Sequence, residues 1–152
     1  MKFSTIIFII IALFLGCRSP QSENDNLQIL TILKNERIAH LAKDVGLFLS
    51  EFSDSTYQIK KGTIKYVAKD QFKNQIKEYF NSSKIVRWDD LQLPVIRFSK
   101  DKTMAYAIVK KMVVIAPANS LSKKDTTIYA WVSIFNKANN QWKLVCNVST
   151  EK

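Results

Sequence analysis

The chain has few of the residues that mark the commonest classes of small catalytic or disulfide-bonded protein. It contains two cysteines, three glycines, three prolines and one histidine among 152 residues. No glycine-rich phosphate loop, serine or cysteine nucleophile motif, or zinc-binding spacing is present, so the strongest sequence signals of catalysis are absent. Because glycine and proline are scarce and 47% of the residues are hydrophobic, the composition predicts a packed domain rather than a disordered chain.

The first residues form a targeting segment. Lys2 provides a positive start, residues 3–15 are almost wholly apolar, and the run ends at Gly16 and Cys17. A helix needs about 20 apolar residues to cross a bilayer, so a permanent span is disfavoured. The pattern resembles the lipobox of bacterial lipoproteins, which implies cleavage before Cys17 and acylation of that cysteine. An ordinary secretory signal and an uncleaved anchor are the alternatives.

This segment divides the chain into three parts. Residues 1–16 are predicted to be a lipoprotein signal peptide, residues 17–26 the lipidated cysteine with a polar, extended tether, and residues 27–152 one domain. Lipid on Cys17 leaves Cys146 without a partner, which excludes a disulfide framework. We therefore expect a protein of the cell envelope, anchored to a bilayer outside the cytoplasm.

The net charge is strongly positive. Removal of Lys2 with the signal lowers the formal charge from +10 to +9. The remaining lysines are scattered rather than clustered, which favours a solubilising role over attraction to anionic lipid or acidic polysaccharide. The export signal also argues against nucleic acid as a partner.

Hydrophobic periodicity predicts helices first and strands afterwards. Apolar residues recur on one face of a helix over residues 27–52, and a second helix is predicted over 70–80. Between them, residues 56–67 alternate around Gly62, which predicts a short strand pair or one bent strand. Five further strands are predicted at residues 85–88, 95–99, 103–115, 126–135 and 142–149. This order is typical of an α+β domain with helices on one face of an antiparallel sheet, and the lack of crossover helices excludes a parallel Rossmann-type sheet.

The order of elements and several short motifs carry a family resemblance. The motifs are His40-x-x-x-Asp44, Gly62, Trp88-Asp89-Asp90, Ser99-Lys100-Asp101, the strand 103–115, Ala130-Trp131 and Trp142-Lys143-Leu144-Val145. Together they resemble the nuclear transport factor 2-like superfamily, in its SnoaL-like and ketosteroid-isomerase-like branch. The resemblance implies a cone-shaped fold in which a curved antiparallel sheet wraps a long N-terminal helix and leaves an apolar pocket at one end.

The acid–base groups of such a pocket are sparse. His40 and Asp44 lie one helical turn apart, so a carboxylate could orient the imidazole for general base chemistry; the alternative is a structural helix pair. The predicted strands 103–115, 126–135 and 142–149 contain no Asp, Glu or His, and Asn147 stands where SnoaL-like relatives commonly have histidine. Their lysines, Lys110, Lys111 and Lys143, are expected to face solvent.

Aromatic residues are the more prominent feature of the predicted pocket. Rings present a flat face and, in tyrosine and tryptophan, a hydrogen-bonding edge, although ordinary core packing is the alternative for each one. The paired carboxylates of Asp89 and Asp90 are too few for a metal site, and no cofactor is expected. The candidate pocket residues are His40, Asp44, Tyr66, Trp88, Tyr106, Trp131 and Asn147.

Two functions remain open from the sequence. The favoured interpretation is a non-catalytic, membrane-tethered module that binds a small apolar ligand or a partner protein. The alternative is a small SnoaL-like enzyme (an isomerase, cyclase or hydrolase) that uses His40 and Asp44 for acid–base chemistry. Relatives often dimerise, so the resemblance also implies that a homodimer is possible.

Overall fold

The computed structural model describes residues 20–120 and 123–151. The predicted signal peptide 1–16 and the lipidation site Cys17 lie outside the described residues. The elements, in chain order, are α1 Pro20–Ala42, α2 Val45–Ser50, β1 Phe52–Lys60, β2 Thr63–Ala68, α3 Lys69–Ser82, β3 Ser83–Asp90, β4 Val95–Phe98, β5 Met104–Pro117, β6 Asp125–Ala138 and β7 Gln141–Glu151.

The long N-terminal helix is interrupted, where the sequence predicted one helix over 27–52. Helix α1 ends at Ala42, and Lys43 adopts a left-handed conformation with φ 57°. Asp44 then starts α2, because its side chain accepts a hydrogen bond of 2.9 Å from the backbone N–H of Leu47. An acceptor at this position satisfies a helix N–H that has no partner within the helix. Asp44 is therefore a helix cap, which the hydrophobic period alone did not reveal.

Helix α1 also begins earlier than expected. Residues 20–26 were predicted to belong to an extended tether, yet they form the first turns of α1. Asp25 is completely buried there and contacts Lys137 and Trp142, whose nitrogens lie 2.6 Å and 3.0 Å from its carboxylate. This tertiary contact holds the start of the helix on the sheet, so the polar composition of the segment does not make it a free linker.

Seven strands form one curved sheet. The order is β2-β1-β7-β6-β5-β3, and β4 pairs with β5. All pairs are antiparallel except β1 with β7, which run parallel and depart from the expected meander. Irregular register between Phe52 and Tyr57, Ile85 and Arg87, and Ile134 and Phe135 marks bulges that bend the strands. The result is the predicted α+β architecture with a curved, unclosed sheet.

Two tight turns set the register of the hairpins. Lys61 and Gly62, with φ 49° and 73°, join β1 to β2. Asn139 and Asn140, with φ 50° and 61°, join β6 to β7. Two consecutive left-handed residues give a two-residue turn whose twist suits an antiparallel pair, and glycine and asparagine tolerate that conformation best.

The core lies between α1 and the concave face of the sheet. Ile29, Ile32 and Leu33 of α1 are buried. Alternate residues of β5 are buried opposite them, as expected for a strand with one face on the core. Helices α2 and α3 close the other side with a cluster of rings from Phe48, Phe72 and Phe80. Within the part of the chain that is described, no helix is long and apolar enough to cross a membrane.

Candidate functional site

A cavity of about 310 Å³ lies at one end of the core, between α1, the small helices and the curved sheet. Its volume is at the lower limit of the range typical of small-molecule sites. The C-terminal half of α1 forms one wall, and the ends of β1, β5, β6 and β7 form the other. The polar lining residues are Glu36, His40, Gln58, Lys60, Asn147 and Ser149, and the aromatic ones are Phe48, Phe52, Phe72, Tyr79, Trp88, Tyr129 and Trp131.

Among the described residues that line this cavity, Glu36 is the only acidic one. It is half-buried, and its carboxyl has no hydrogen-bond partner among residues 20–120 and 123–151. Burial raises the pKa of Glu36 to about 7, because the charged form loses water; the nearby positive charge of Lys111 opposes this effect, and the negative charge of Asp90 adds to it. Near neutral pH this carboxyl is therefore poised between its protonated and ionised forms.

His40 lies one helical turn after Glu36 and is buried among aromatic rings. Its imidazole stacks on Trp88, with 4.0 Å between ring centroids, and meets Phe48 edge-on at 5.0 Å. Burial lowers the pKa of His40 to about 4, although the hydrogen bond to Glu36 favours the charged form. The ring is neutral at pH 7. Since Nδ1 lies 2.8 Å from the backbone oxygen of Glu36, Nδ1 must carry the proton, which leaves Nε2 as an acceptor.

Lys111 contradicts the expectation that strand lysines face solvent. Its side chain is 2% exposed, because it falls on the inward face of β5 between Val109 and Val113. Its ammonium pairs with the carboxylate of Asp90 and lies 5.9 Å from the ring centroid of Trp131. A buried charge is tolerated only when it is paired, so this ion pair beneath the cavity compensates the charge of Lys111.

Aromatic side chains dominate the cavity wall. Trp88 and Trp131 lie 5.9 Å apart between centroids, and Tyr129 lies 6.4 Å from Trp131. Burial raises the pKa of Tyr79, so its hydroxyl stays neutral. The wall is therefore a set of ring faces interrupted by a few polar groups, among them one carboxyl and one neutral imidazole.

Four of the seven predicted pocket residues meet at this cavity. His40, Trp88, Trp131 and Asn147 all line it. They come from α1, β3, β6 and β7, and the curvature of the sheet brings them together. Whether the cavity binds anything stays a prediction at this point.

The other three predicted residues lie elsewhere. Asp44 is exposed and caps α2, so it does not orient His40. Tyr66 is 62% exposed on the edge strand β2 and donates a hydrogen bond of 2.6 Å to Ser55. Tyr106 is 42% exposed on the convex face of the sheet, because β5 alternates and its inward neighbours are Ala105 and Ala107. The predicted His40–Asp44 pair is thus corrected: the acid beside His40 is Glu36.

The sequence carries a signal for Glu36 that differs from the helical spacing of a histidine–acid pair. Ile29, Ile32, Leu33 and His40 are all buried on one face of α1, and Glu36 continues that face at helical spacing. An acid within an apolar stripe is unusual, since carboxylates are rarely buried without a partner. The position of Glu36 within the apolar stripe, rather than its spacing from His40, indicates that this acid is special.

A metal centre is not formed by the side chains described. No group of three or more His, Cys, Asp or Glu residues is placed to hold an ion within the described ranges 20–120 and 123–151. The carboxylates of the Trp88-Asp89-Asp90 motif are already engaged, because Asp89 accepts a hydrogen bond of 2.9 Å from Arg87 and Asp90 pairs with Lys111.

Comparison with solved structures defines the fold class. A nuclear transport factor 2-like family protein from Streptomyces avermitilis, described as a candidate dehydratase, superposes with a TM-score of 0.68 at 10% identity, over 84% of this chain and 96% of that one. A nuclear transport factor 2-like protein of unknown function in nutrient uptake from Rhodospirillum rubrum gives 0.65 at 17% identity, over 80% and 96%. One from Cytophaga hutchinsonii gives 0.65 at 13%, over 82% and 95%.

These likenesses establish a nuclear transport factor 2-like fold for this chain. The identities are too low to carry over an activity, since one fold hosts many functions. No protein-family model matches the sequence, and no curated protein does. The function must therefore be argued from the cavity itself.

Proposed function

We propose that this chain is an exported lipoprotein whose domain binds a small, largely apolar molecule in the cavity beside Glu36 and His40. The observation that carries the proposal is an open cavity of about 310 Å³ whose aromatic wall surrounds a few polar groups. Apolar area supplies most of the affinity in such a site, and the polar groups orient the ligand.

Filling the cavity tests the binding proposal. Ser149 lines the cavity, whereas Thr150, the next residue of β7, is exposed. Ser149→Phe should abolish the thermal stabilisation that bound small molecules give the wild-type chain, and Thr150→Phe should preserve it. A screen of apolar metabolites that stabilises the chain equally with and without the Ser149 substitution would place binding outside the cavity and contradict the proposal.

The proposed lipid anchor on Cys17 has a geometric consequence for this site. Helix α1 begins at Pro20, so the chain from Cys17 to the domain spans at most about 10 Å. Glu36 lies roughly 24 Å farther along the helix axis, at about 1.5 Å per residue. A chain anchored at Cys17 would hold the cavity at the end of α1 remote from the anchor, where ligand arrives from the aqueous compartment.

Membrane fractionation tests the anchor. The wild-type chain should be found in the membrane fraction and incorporate a labelled fatty acid, and Cys17→Ser should abolish that incorporation. Retention of the wild-type chain in the membrane without the label would support an uncleaved anchor instead. This outcome is independent of whether the cavity binds a ligand.

A second candidate function is acid–base catalysis on a small apolar substrate, as in the SnoaL-like alternative. The raised pKa of Glu36 favours it, because a general acid or base works best with a pKa near the operating pH. His40 would accept a hydrogen bond at Nε2 and orient the substrate. Glu36→Gln separates the two functions: a binding protein keeps its apolar ligand, whereas an enzyme loses turnover while still binding substrate.

A further inference from the structure

We infer that the ligand of this cavity carries an organic cation, a substituted ammonium group, and that Glu36 is its counter-ion. The inference rests on the proposed ligand-binding function and narrows it to one chemical class. It follows from three features of the site, namely the ring faces of its wall, the single unpaired carboxyl, and the pairing of every lysine that adjoins it.

The ring faces provide an attractive surface for a cation. Seven aromatic side chains line the cavity, and an aromatic ring presents a negative face to a cation within about 6 Å of its centroid. The site already shows this preference, because the Lys111 ammonium lies 5.9 Å from Trp131 and the Lys60 ammonium 5.6 Å from Tyr129. A substituted ammonium group also suits such a wall because its alkyl groups are apolar.

The carboxyl of Glu36 is available to such a ligand. Other acids near the cavity are engaged: Asp90 with Lys111, and Glu151 with Lys60 at 3.1 Å. Glu36 alone has neither a hydrogen bond nor an ion pair within the described part of the chain. An ionised acid without a partner in a partly buried site is costly, so a cation bound beside it would reduce that cost.

The buried lysine beneath the cavity does not reverse this preference. Lys111 is paired with Asp90. Lys60 at the rim is paired with Glu151, which it shares with Lys61, so the positive charge that remains there lies on two solvent-exposed lysines. His40 is neutral near pH 7. The ionised Glu36 is thus the one charge without an ion-pair partner among the described side chains that line the cavity, and its sign is complementary to a cation.

Cation binding must compete with a proton at Glu36. The charged groups that act on this carboxyl are Lys111 on β5 and Asp90 on β3. The other titratable side chains that line the cavity are His40 on α1, Lys60 on β1, Tyr79 on α3 and Tyr129 on β6. The pKa of His40, about 4, lies well below the pKa of Glu36, about 7. Between pH 5 and 8, affinity for a cation should therefore rise with pH as Glu36 ionises.

A pair of probes of equal shape tests the charge. Choline and its uncharged isostere 3,3-dimethylbutan-1-ol would be titrated into the full chain at pH 8, with the indole N–H signals of the tryptophans as the readout. We expect choline to bind at least about 10-fold more tightly than the isostere. Glu36→Gln should remove that preference, whereas Glu78→Gln, at an exposed acid of α3, should leave it unchanged.

Each other outcome overturns the inference in a distinguishable way. Equal affinity for both probes, or tighter binding of the alcohol, refutes the cationic ligand and leaves the proposed function standing. A preference for choline that survives Glu36→Gln refutes the assigned counter-ion. If neither probe shifts the signals of Trp88 and Trp131, the inference fails, and the proposed function is then judged by the Ser149→Phe and Thr150→Phe comparison.

Discussion

Replacement of Glu36 by glutamine removes an ionisable group from the cavity wall while keeping its shape. The pKa of Glu36 is about 7 in the folded chain, against an ordinary value of 4.5. At about 1.4 kcal/mol per pKa unit, ionisation of this carboxyl reduces the free energy of unfolding by about 3 kcal/mol. Glu36→Gln has no ionisable group at this position, so it does not lose this stability.

The sign of the effect follows from the raised pKa. The stabilisation that comes from protonated Glu36 is complete below about pH 4.5 and is lost as the pH rises through about 7. The free energy of unfolding of Glu36→Gln, relative to wild type, should therefore increase by about 3 kcal/mol from pH 4.5 to pH 8. Glu78→Gln should show no such trend.

His40 acts in the opposite direction and explains why the wild-type chain alone is uninformative. Its pKa is lowered from 6.5 to about 4, so the stability it contributes is present above about pH 6.5 and is lost as the pH falls through about 4. Between pH 4.5 and 6.5 the effects of Glu36 and His40 on the free energy of unfolding largely cancel in the wild type. In Glu36→Gln the pH dependence of stability that is due to His40 should become visible.

Urea unfolding at pH 4.5, 6.5 and 8, followed by tryptophan fluorescence, measures these differences directly. Wild type, Glu36→Gln and Glu78→Gln would be compared at each pH. A difference between wild type and Glu36→Gln that does not change with pH would mean that Glu36 has an ordinary pKa, and the electrostatic account of the cavity would be refuted.

Two further substitutions test the buried ion pairs. Asp90→Asn should lower the free energy of unfolding by about 2 kcal/mol, because it leaves the buried ammonium of Lys111 unpaired. Asp89→Asn, which breaks an exposed ion pair, should lower it by less than about 1 kcal/mol. Equal losses of stability in the two variants would contradict the role of the buried pair. Asp25→Asn should lower the free energy of unfolding by about 3 kcal/mol at pH 7 by leaving Lys137 unpaired. Burial raises the pKa of Asp25, but the hydrogen bonds from Lys137 and Trp142 outweigh burial, so the pKa is lowered overall. The loss of stability in Asp25→Asn should therefore shrink as the pH falls below about 3.8. A loss that does not change with pH would argue against the ion pair.

Much of the fold could be predicted from periodicity. The period of two identified the strands that became β3 to β7, and the period of 3.6 identified α1 and α3. The break at Lys43 was missed because the apolar stripe continues through α2, so the hydrophobic pattern looked unbroken. The parallel pairing of β1 with β7 is a tertiary feature without a local signal.

The candidate site was predicted less completely, for reasons of geometry. His40, Trp88, Trp131 and Asn147 reach the cavity, but Tyr66 and Tyr106 do not, because the face of a strand that points inward depends on register. Lys111 faces inward for the same reason. Its burial depends on Asp90, a residue of another strand, and one sequence does not reveal such a partner.

The indole N–H signals of the three tryptophans give the most direct test of the claim that the cavity binds an organic cation. Trp88 and Trp131 line it, whereas Trp142 lies with Asp25 at the start of α1. During titration of the full chain with choline at pH 8, the account predicts saturable shifts for Trp88 and Trp131 and none for Trp142. Saturable shifts confined to Trp142, or no shift in any of the three, would contradict it.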